Sequence, residues 1–208
     1  MFKIIIIILA AVSILMVIID RYFIYQRNKI SDNYVNEISN GNFKKAYAIE
    51  NDKKALKFIP PFNRNLLCFN TALIENNSKK IIEYFDTLDK YNLGQNQKKS
   101  LYIPALQYFI SIKDIERCKI CIKKLETLKM DQETREYLEE INSIIILKKT
   151  DLLDVLLERI KCKNPTEIYS DEFLISEIYS NLGNVELSKK YFNLGQKHMD
   201  EFFCSKSK

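Results

Sequence analysis

The sequence predicts an all-α protein: an N-terminal transmembrane helix followed by a right-handed solenoid of about five antiparallel helix pairs. Three observations lead there. Turn-forming dipeptides recur at Gly41-Asn42, Asn76-Asn77, Lys113-Asp114, Thr150-Asp151 and Gly183-Asn184, and their first members lie 35, 37, 37 and 33 residues apart. Apolar residues at helical spacing flank each turn, and this period belongs to stacked helix-turn-helix repeats. The chain has only 4 Gly and 4 Pro against 47% apolar residues, which leaves little material for the tight turns of a sandwich or barrel. The segment from Ile4 to Ile19 is apolar apart from Ser13.

The expected organisation is an anchor and membrane-exit segment over 1–30, a helical repeat domain over 31–204 and a disordered tail over 205–208. Phe2 to Ile19 is 18 residues long with Lys3 as its only charge. At about 1.5 Å per residue it approaches the roughly 30 Å of a bilayer's hydrocarbon core. Asp20 and Arg21 end the run, and Tyr22, Phe23 and Tyr25 follow where amphipathic rings favour the headgroup layer, so residues 2–25 are expected to meet lipid. Ala11-Val12-Ser13 resembles a signal cleavage site but lies inside the run, and the residues after it are bulky or charged, so the anchor is read as uncleaved. No Cys follows closely enough for a lipoprotein anchor. Lys3 precedes the span while Arg21, Arg27 and Lys29 follow it, which places the C-terminal domain of this single-pass membrane protein in the cytoplasm. Five cysteines, an odd number without disulfide-scaffold spacing, agree with a reducing compartment.

Each pair has its own apolar pattern. At Gly41 the first helix must come from Tyr34 to Ile38 and can continue the anchor helix, and the second carries Phe43, Ala46, Tyr47 and Ile49. Around Asn76-Asn77 stand Leu66, Phe69, Ala72 and Leu73, then Ile81, Ile82, Phe85 and Leu88. Around Lys113-Asp114 stand Tyr102, Leu106 and Phe109, then Ile115, Cys118, Ile122 and Leu125. Pro104 is awkward there, since an interior proline costs about 3 kcal/mol, so this helix is expected to start near Ser100 or to kink. The Thr150 pair has Leu138, Ile141, Ile144, Ile145 and Leu147, then Leu152, Val155, Leu156 and Ile160. In the last pair Phe173, Ile175, Tyr179 and Leu182 precede the turn, and Val185, Tyr191 and Phe192 follow it. Pro60-Pro61, Asn92 to Gln97, Met130-Asp131 and Asn164-Pro165 separate the pairs, and Ser78, Asp131 and Thr166 stand where N-caps are needed.

The last pair resembles a tetratricopeptide repeat: Ser176, Tyr179, Gly183-Asn184, Ser188, Phe192 and Gly195 match the family's alternation of small and aromatic positions about a Gly-Asp-like turn. Glu172 replaces the family's Trp, and no closing Pro follows Met199, which marks a terminal cap. The resemblance spans about Ser31 to Phe203, by motif in the last pair and increasingly by period elsewhere. It implies an extended groove lined by the first helices that binds a peptide or partner helix. In that register the groove candidates are Asn70, Gln107, Glu177 and Asn181.

Chemistry has little to work with. His198 is the only histidine and reads as a solvated helix-end residue. Cys118-Lys119-Ile120-Cys121 has redox or half-zinc-site spacing, but no second pair exists and Cys118 takes the small buried position of its helix. Gly41, Gly94, Gly183 and Gly195 are too dispersed for a phosphate loop. Glu139-Glu140 and Asp114 with Glu116 read as solvated faces, and acidic residues nearly balance the lysine pairs, which disfavours a nucleic-acid track. The expected function is therefore a non-enzymatic, membrane-tethered adaptor or scaffold of bacterial type, without catalytic residues, metal or cofactor. Its alternatives are an exported translocon-associated or chaperone-network subunit and a self-assembling structural membrane component.

Overall fold

The computed structural model describes residues 2–164 and 168–206, and side chains over 13–164 and 168–201. Eleven α-helices and no strand occur among the described residues: α1 (Phe2–Ser39), α2 (Phe43–Tyr47), α3 (Lys53–Phe58), α4 (Pro61–Glu75), α5 (Ser78–Leu88), α6 (Gln95–Ser111), α7 (Ile115–Glu126), α8 (Gln132–Ile141), α9 (Leu153–Cys162), α10 (Tyr169–Asn181) and α11 (Val185–Lys206). A 3-10 turn, Ala48–Glu50, follows α2, and a π-helical segment, Asn142–Ile146, extends α8. The chain divides into two compact units, Met1–Leu93 and Gly94–Lys208. The protein is thus all-α. α11 runs to Lys206, into the segment expected to be a disordered tail, and 207–208 lie outside the described residues.

One closing turn builds the helix pairs. The described residues with positive φ are Gly41, Asn76, Lys113, Lys148 and Gly183, so the left-handed residue recurs after 35, 37, 35 and 35 positions. At four of the five turns the residue after it sends its N–H back to a carbonyl five residues earlier, at 2.8–2.9 Å: Asn42 to Glu37, Asn77 to Ala72, Asp114 to Phe109 and Asn184 to Tyr179. The left-handed residue itself bonds three back, which completes a Schellman closure of the first helix. At three of these turns the same following residue caps the next helix: Asn77 accepts from the Lys80 N–H, Asp114 from Arg117 and Asn184 from Leu187. A two-residue device therefore ends one helix and starts its antiparallel partner.

The fourth turn departs from the expected position. It closes at Lys148, not Thr150, because the π segment adds one residue to the helical turn, and Lys149 donates to Ser143, six positions back. The register of the apolar residues changes with it. Leu138, Ile141 and Ile144 are buried, but Leu147 and, in α9, Val155 are more than half exposed. Lys113 and Lys148 occupy a backbone region that costs an L-residue about 1–2 kcal/mol. Glycine relieves that strain but loses part of the gain to unfolded-state entropy. Lys148→Gly is accordingly expected to raise stability by about 0.5–1 kcal/mol, measured as a higher melting temperature by circular dichroism, and Gly183→Ala to lower it by a similar amount.

Two expected helix starts are corrected. α6 begins at Gln95, where the Gly94 N–H donates to Gln97 Oε1 at 3.0 Å, and continues through Pro104. Leu101, Tyr102, Ala105, Leu106 and Phe109 are buried along it, and at about 1.5–3 kcal/mol for each large side chain this outweighs one lost backbone bond. Asn77 rather than Ser78 caps α5, whereas Asp131 caps α8 as expected, accepting from the Thr134 N–H at 2.8 Å. Thr166 lies outside the described residues.

In the first unit Tyr34, Ala46, Ile49, Ala55, Ile59 and Cys68 share a core, which ties α1 to α2, α3 and α4. α1 is one unbroken helix from Phe2 to Ser39, so its packed C-terminal third continues the segment expected to be an anchor. Residues 13–22 of α1 are exposed on every face. No helix among the described residues is long and apolar enough to cross a membrane, and the side chains of 2–12, the larger part of the expected span, lie outside the described residues.

In the second unit α10 is the central helix, packed against α9, α11 and the π segment. From Ser176 back through Phe173 to Tyr169 on α10, the contacts step forward from Ser188 through Phe192 to Gly195 on α11, the order of an antiparallel pair. Tyr179 stacks on Tyr191, Ser176 donates to the Ser188 carbonyl at 2.8 Å, and Phe173 meets Phe192. A Cβ added at Gly195 would stand 3.1 Å from the Phe173 ring and 3.2 Å from the Tyr169 carbonyl. The small residues at 176, 188 and 195 thus lie where the two helices approach closely.

Candidate functional site

The four groove candidates separate into two groups. Gln107 is exposed on the face of α6 that also carries Lys99, Ile103 and Ser111, and Asn70 on α4 in the first unit is half-buried. Glu177 and Asn181 already have intramolecular partners. Glu177 pairs with Lys113, 3.5 Å away at the α6–α7 turn. Asn181 donates its amide to the Ile144 carbonyl at 2.9 Å and satisfies a helix-end acceptor of the π segment. Both side chains therefore brace α10 against its neighbours, and Gln107 is left as the exposed candidate of the second unit.

Four charged residues distant in sequence, Glu140, Arg159, Lys163 and Asp171, form one linked set of ion pairs. Arg159 on α9 forms a bidentate pair with Glu140 on α8, and its Nη1 also lies 3.2 Å from Asp171 Oδ1 on α10. Lys163 Nζ reaches the other Asp171 oxygen at 3.1 Å. The Asp171 side chain is only 2% exposed, so its charge depends on these two cations. The first cause holding the Arg159 guanidinium firmly protonated is its hydrogen bond to Glu140. Glu140 is thus not part of a solvated carboxylate face, and its partner Arg159, 19 residues further along the chain, gives no local signal.

His198 is likewise corrected. Its Nδ1 lies 2.8 Å from Glu172 Oε2, and the two side chains are 16% and 3% exposed, so it is an internal partner across α10 and α11 and not a solvated helix-end residue. The sequence clue was Glu172 itself, which stands where the resembled family carries Trp and needs a polar partner when buried. The contact fastens α11 to α10.

A polar aromatic cluster fills part of the first unit. Tyr47 and Tyr84 stack 6.2 Å apart, with Lys80 Nζ 3.3 Å from the Tyr47 ring centre. Tyr47 donates to Glu75 at 2.6 Å and Tyr84 to Glu50 at 2.8 Å; burial first, then these carboxylates, push both phenols well above their ordinary range. Tyr34 donates to or accepts from Thr71 at 2.8 Å, and burial pushes it up to about 12. These phenols hold their protons at neutral pH and fasten α1 and α2 to α4, and α5 to the 3-10 turn after α2.

Cys68, Cys118 and Cys121 are buried thiols and Cys162 is exposed. Burial pushes Cys68 and Cys118 up to about 11, which keeps both as neutral thiols at neutral pH. Among the described residues no group of three or more His, Cys, Asp or Glu is placed to hold a metal. In the native protein Cys162 is expected to react with an alkylating reagent at least tenfold faster than Cys68 or Cys118, as read by peptide mass spectrometry over time. The same raised values set an alkaline limit. The fold favours the two neutral thiols, so their contribution is complete below the ordinary thiol value of 9.0 and is lost as pH climbs toward about 11. Helical signal at constant temperature should fall through that window, and Cys118→Ala should flatten the fall.

The sequence matches no protein-family model, and comparisons with curated proteins and with solved structures likewise find no match.

Proposed function

We propose that this chain is a non-enzymatic, membrane-tethered adaptor, built from tetratricopeptide-like helix pairs, that binds a peptide or partner helix through first-helix surfaces. The observation that supports it most directly is the continuity of α1. The helix is apolar and exposed on every face at 13–19, yet contributes Tyr34 to the core of the first unit. An apolar helix with no dry face to pack on is stable in an apolar medium, and residues 2–19 supply the length for a single span. Tethering then raises the local concentration of the adaptor near membrane-bound partners. Arg21, Arg27 and Lys29, just after the span, support a cytoplasmic C-terminal domain.

Binding is assigned to the exposed α6 face around Gln107 in the second unit, with Asn70 as the corresponding position on α4. Repeated helix pairs expose such first-helix side chains at regular intervals, a surface suited to an extended ligand. The test has two arms. Full-length protein should resist alkaline carbonate extraction from membranes, and a variant lacking residues 2–19 should be released. A photo-crosslinker at Gln107 should capture a partner that is not captured from Glu116, exposed on α7. Equal capture from both positions would sink the binding face, and release of the full-length chain would sink the tether.

A further inference from the structure

We propose that α3 is a membrane-seated foot that binds anionic phospholipid headgroups beside the point where α1 leaves the bilayer; this rests on the tethered reading of α1. α3 was not anticipated from the sequence. It is a single short helix, Lys53–Phe58, started by Asp52, whose side chain accepts from the Ala55 N–H at 2.8 Å. Its buried face is Ala55 and Phe58, and its exposed face is Lys53, Lys54, Leu56 and Lys57. Three cations and one large apolar side chain, half exposed, make up that outer surface.

Its position on α1 is what points to lipid. Phe58 packs edge-on against Phe23 at 5.1 Å and Tyr22 at 5.9 Å, and its carbonyl accepts from Arg27 Nε at 2.8 Å. Phe23 lies four residues beyond Ile19, about 6 Å along the helix axis. The headgroup layer on each side of a bilayer is about that thick. α3 is therefore held at headgroup depth whenever the apolar run of α1 is inside the membrane. Lysines at this depth face phosphate and carboxylate groups, and Leu56, half exposed among them, supplies the apolar contact that amphipathic interfacial helices make. Tyr22 and Tyr25, both more than half exposed, border the same level on α1.

The neighbouring charges favour an anionic surface. Arg21, Arg27 and Lys29 lie on the adjoining part of α1 against Asp20, and of the acids next to α3 Asp52 is engaged in its cap while Glu50 accepts from Tyr84. At the usual gain for a basic residue close to an anionic leaflet, the three α3 lysines together favour the seated state on the order of a hundredfold.

The sequence contains no Trp, so Leu56→Trp gives a single reporter. Full-length protein with this change would be reconstituted into vesicles of phosphatidylcholine alone and of phosphatidylcholine with phosphatidylserine. The expected result is a blue-shifted emission, protected from acrylamide and quenched by shallow spin-labelled lipid, in the phosphatidylserine vesicles. In neutral vesicles, and in both when Lys53, Lys54 and Lys57 are changed to Gln, the emission should be that of an exposed indole. Emission independent of lipid charge and of the lysines, with the protein resisting carbonate extraction, would overturn the foot while leaving the tether standing. Release of the chain on carbonate treatment would overturn both.

Discussion

Replacing Arg159 by alanine is expected to destabilise the second unit by about 3 kcal/mol. The guanidinium serves Glu140 on α8 and Asp171 on α10 from its place on α9, so its loss unpairs Glu140 and takes one of two cations from Asp171. Asp171 is 2% exposed and cannot recover water, although Lys163 remains beside it at 3.1 Å. Arg159 itself is 30% exposed, which places the expected loss at the low end for a broken buried pair. Changing Asp171 to Asn should cost less, because the cations left behind are the more exposed partners. A double-mutant cycle of Arg159→Ala with Glu140→Gln, followed by urea denaturation, checks the assignment. A coupling of 1 kcal/mol or more is expected, and additivity within roughly 0.3–0.5 kcal/mol would show that the two groups do not interact.

The largest loss is expected for Phe109→Ala, about 4 kcal/mol within the usual range for emptying a buried aromatic site. Phe109 is fully buried at the end of α6, one turn before the left-handed Lys113, and its carbonyl accepts the Asp114 N–H that closes the helix. Its ring lies edge-on to Tyr108, and the Arg117 guanidinium stands 5.7 Å from its centre on α7. The substitution leaves a cavity, exposes the guanidinium and loosens the antiparallel pair at its turn. Phe109→Leu should recover more than half of the loss in the same melt, since volume rather than aromaticity fills most of the site. Phe192→Ala supplies the contrast, because that ring is 51% exposed and its removal should cost under about 1 kcal/mol.

The positions of the helix pairs were legible because their turns carry a local chemistry. Gly41, Asn76 and Gly183 tolerate positive φ, and Asn77, Asp114 and Asn184 cap the helix that follows, so each turn is specified within two residues. Ser176, Ser188 and Gly195 were legible for a related reason: a small residue facing a helix neighbour has a spacing that can be read. The Thr150 turn was misplaced because a π segment is not encoded by any turn residue. Asn142–Ile146 packs against α7 and α10, and the left-handed Lys148 closes the turn two residues after it.

The candidate site was less legible than the fold, and for a physical reason. Gln107 was chosen for a first-helix face and is exposed there, but Glu177 and Asn181, chosen by the same register, are taken up by Lys113 and by the Ile144 carbonyl. Periodicity says which face of a helix a residue occupies. It does not say whether another helix stands opposite.

By itself the sequence determined the all-α class and the closing turns at Gly41, Asn76, Lys113 and Gly183, because backbone conformation and hydrogen bonding at a turn are decided by neighbours along the chain. Only the tertiary structure decided that His198 pairs with Glu172, that Arg159 joins three helices, that α6 runs through Pro104 and that α3 lies against Phe23. Those outcomes come from burial and from charges brought together across 12 to 35 residues of sequence, where the free energy of removing a group from water exceeds any local preference.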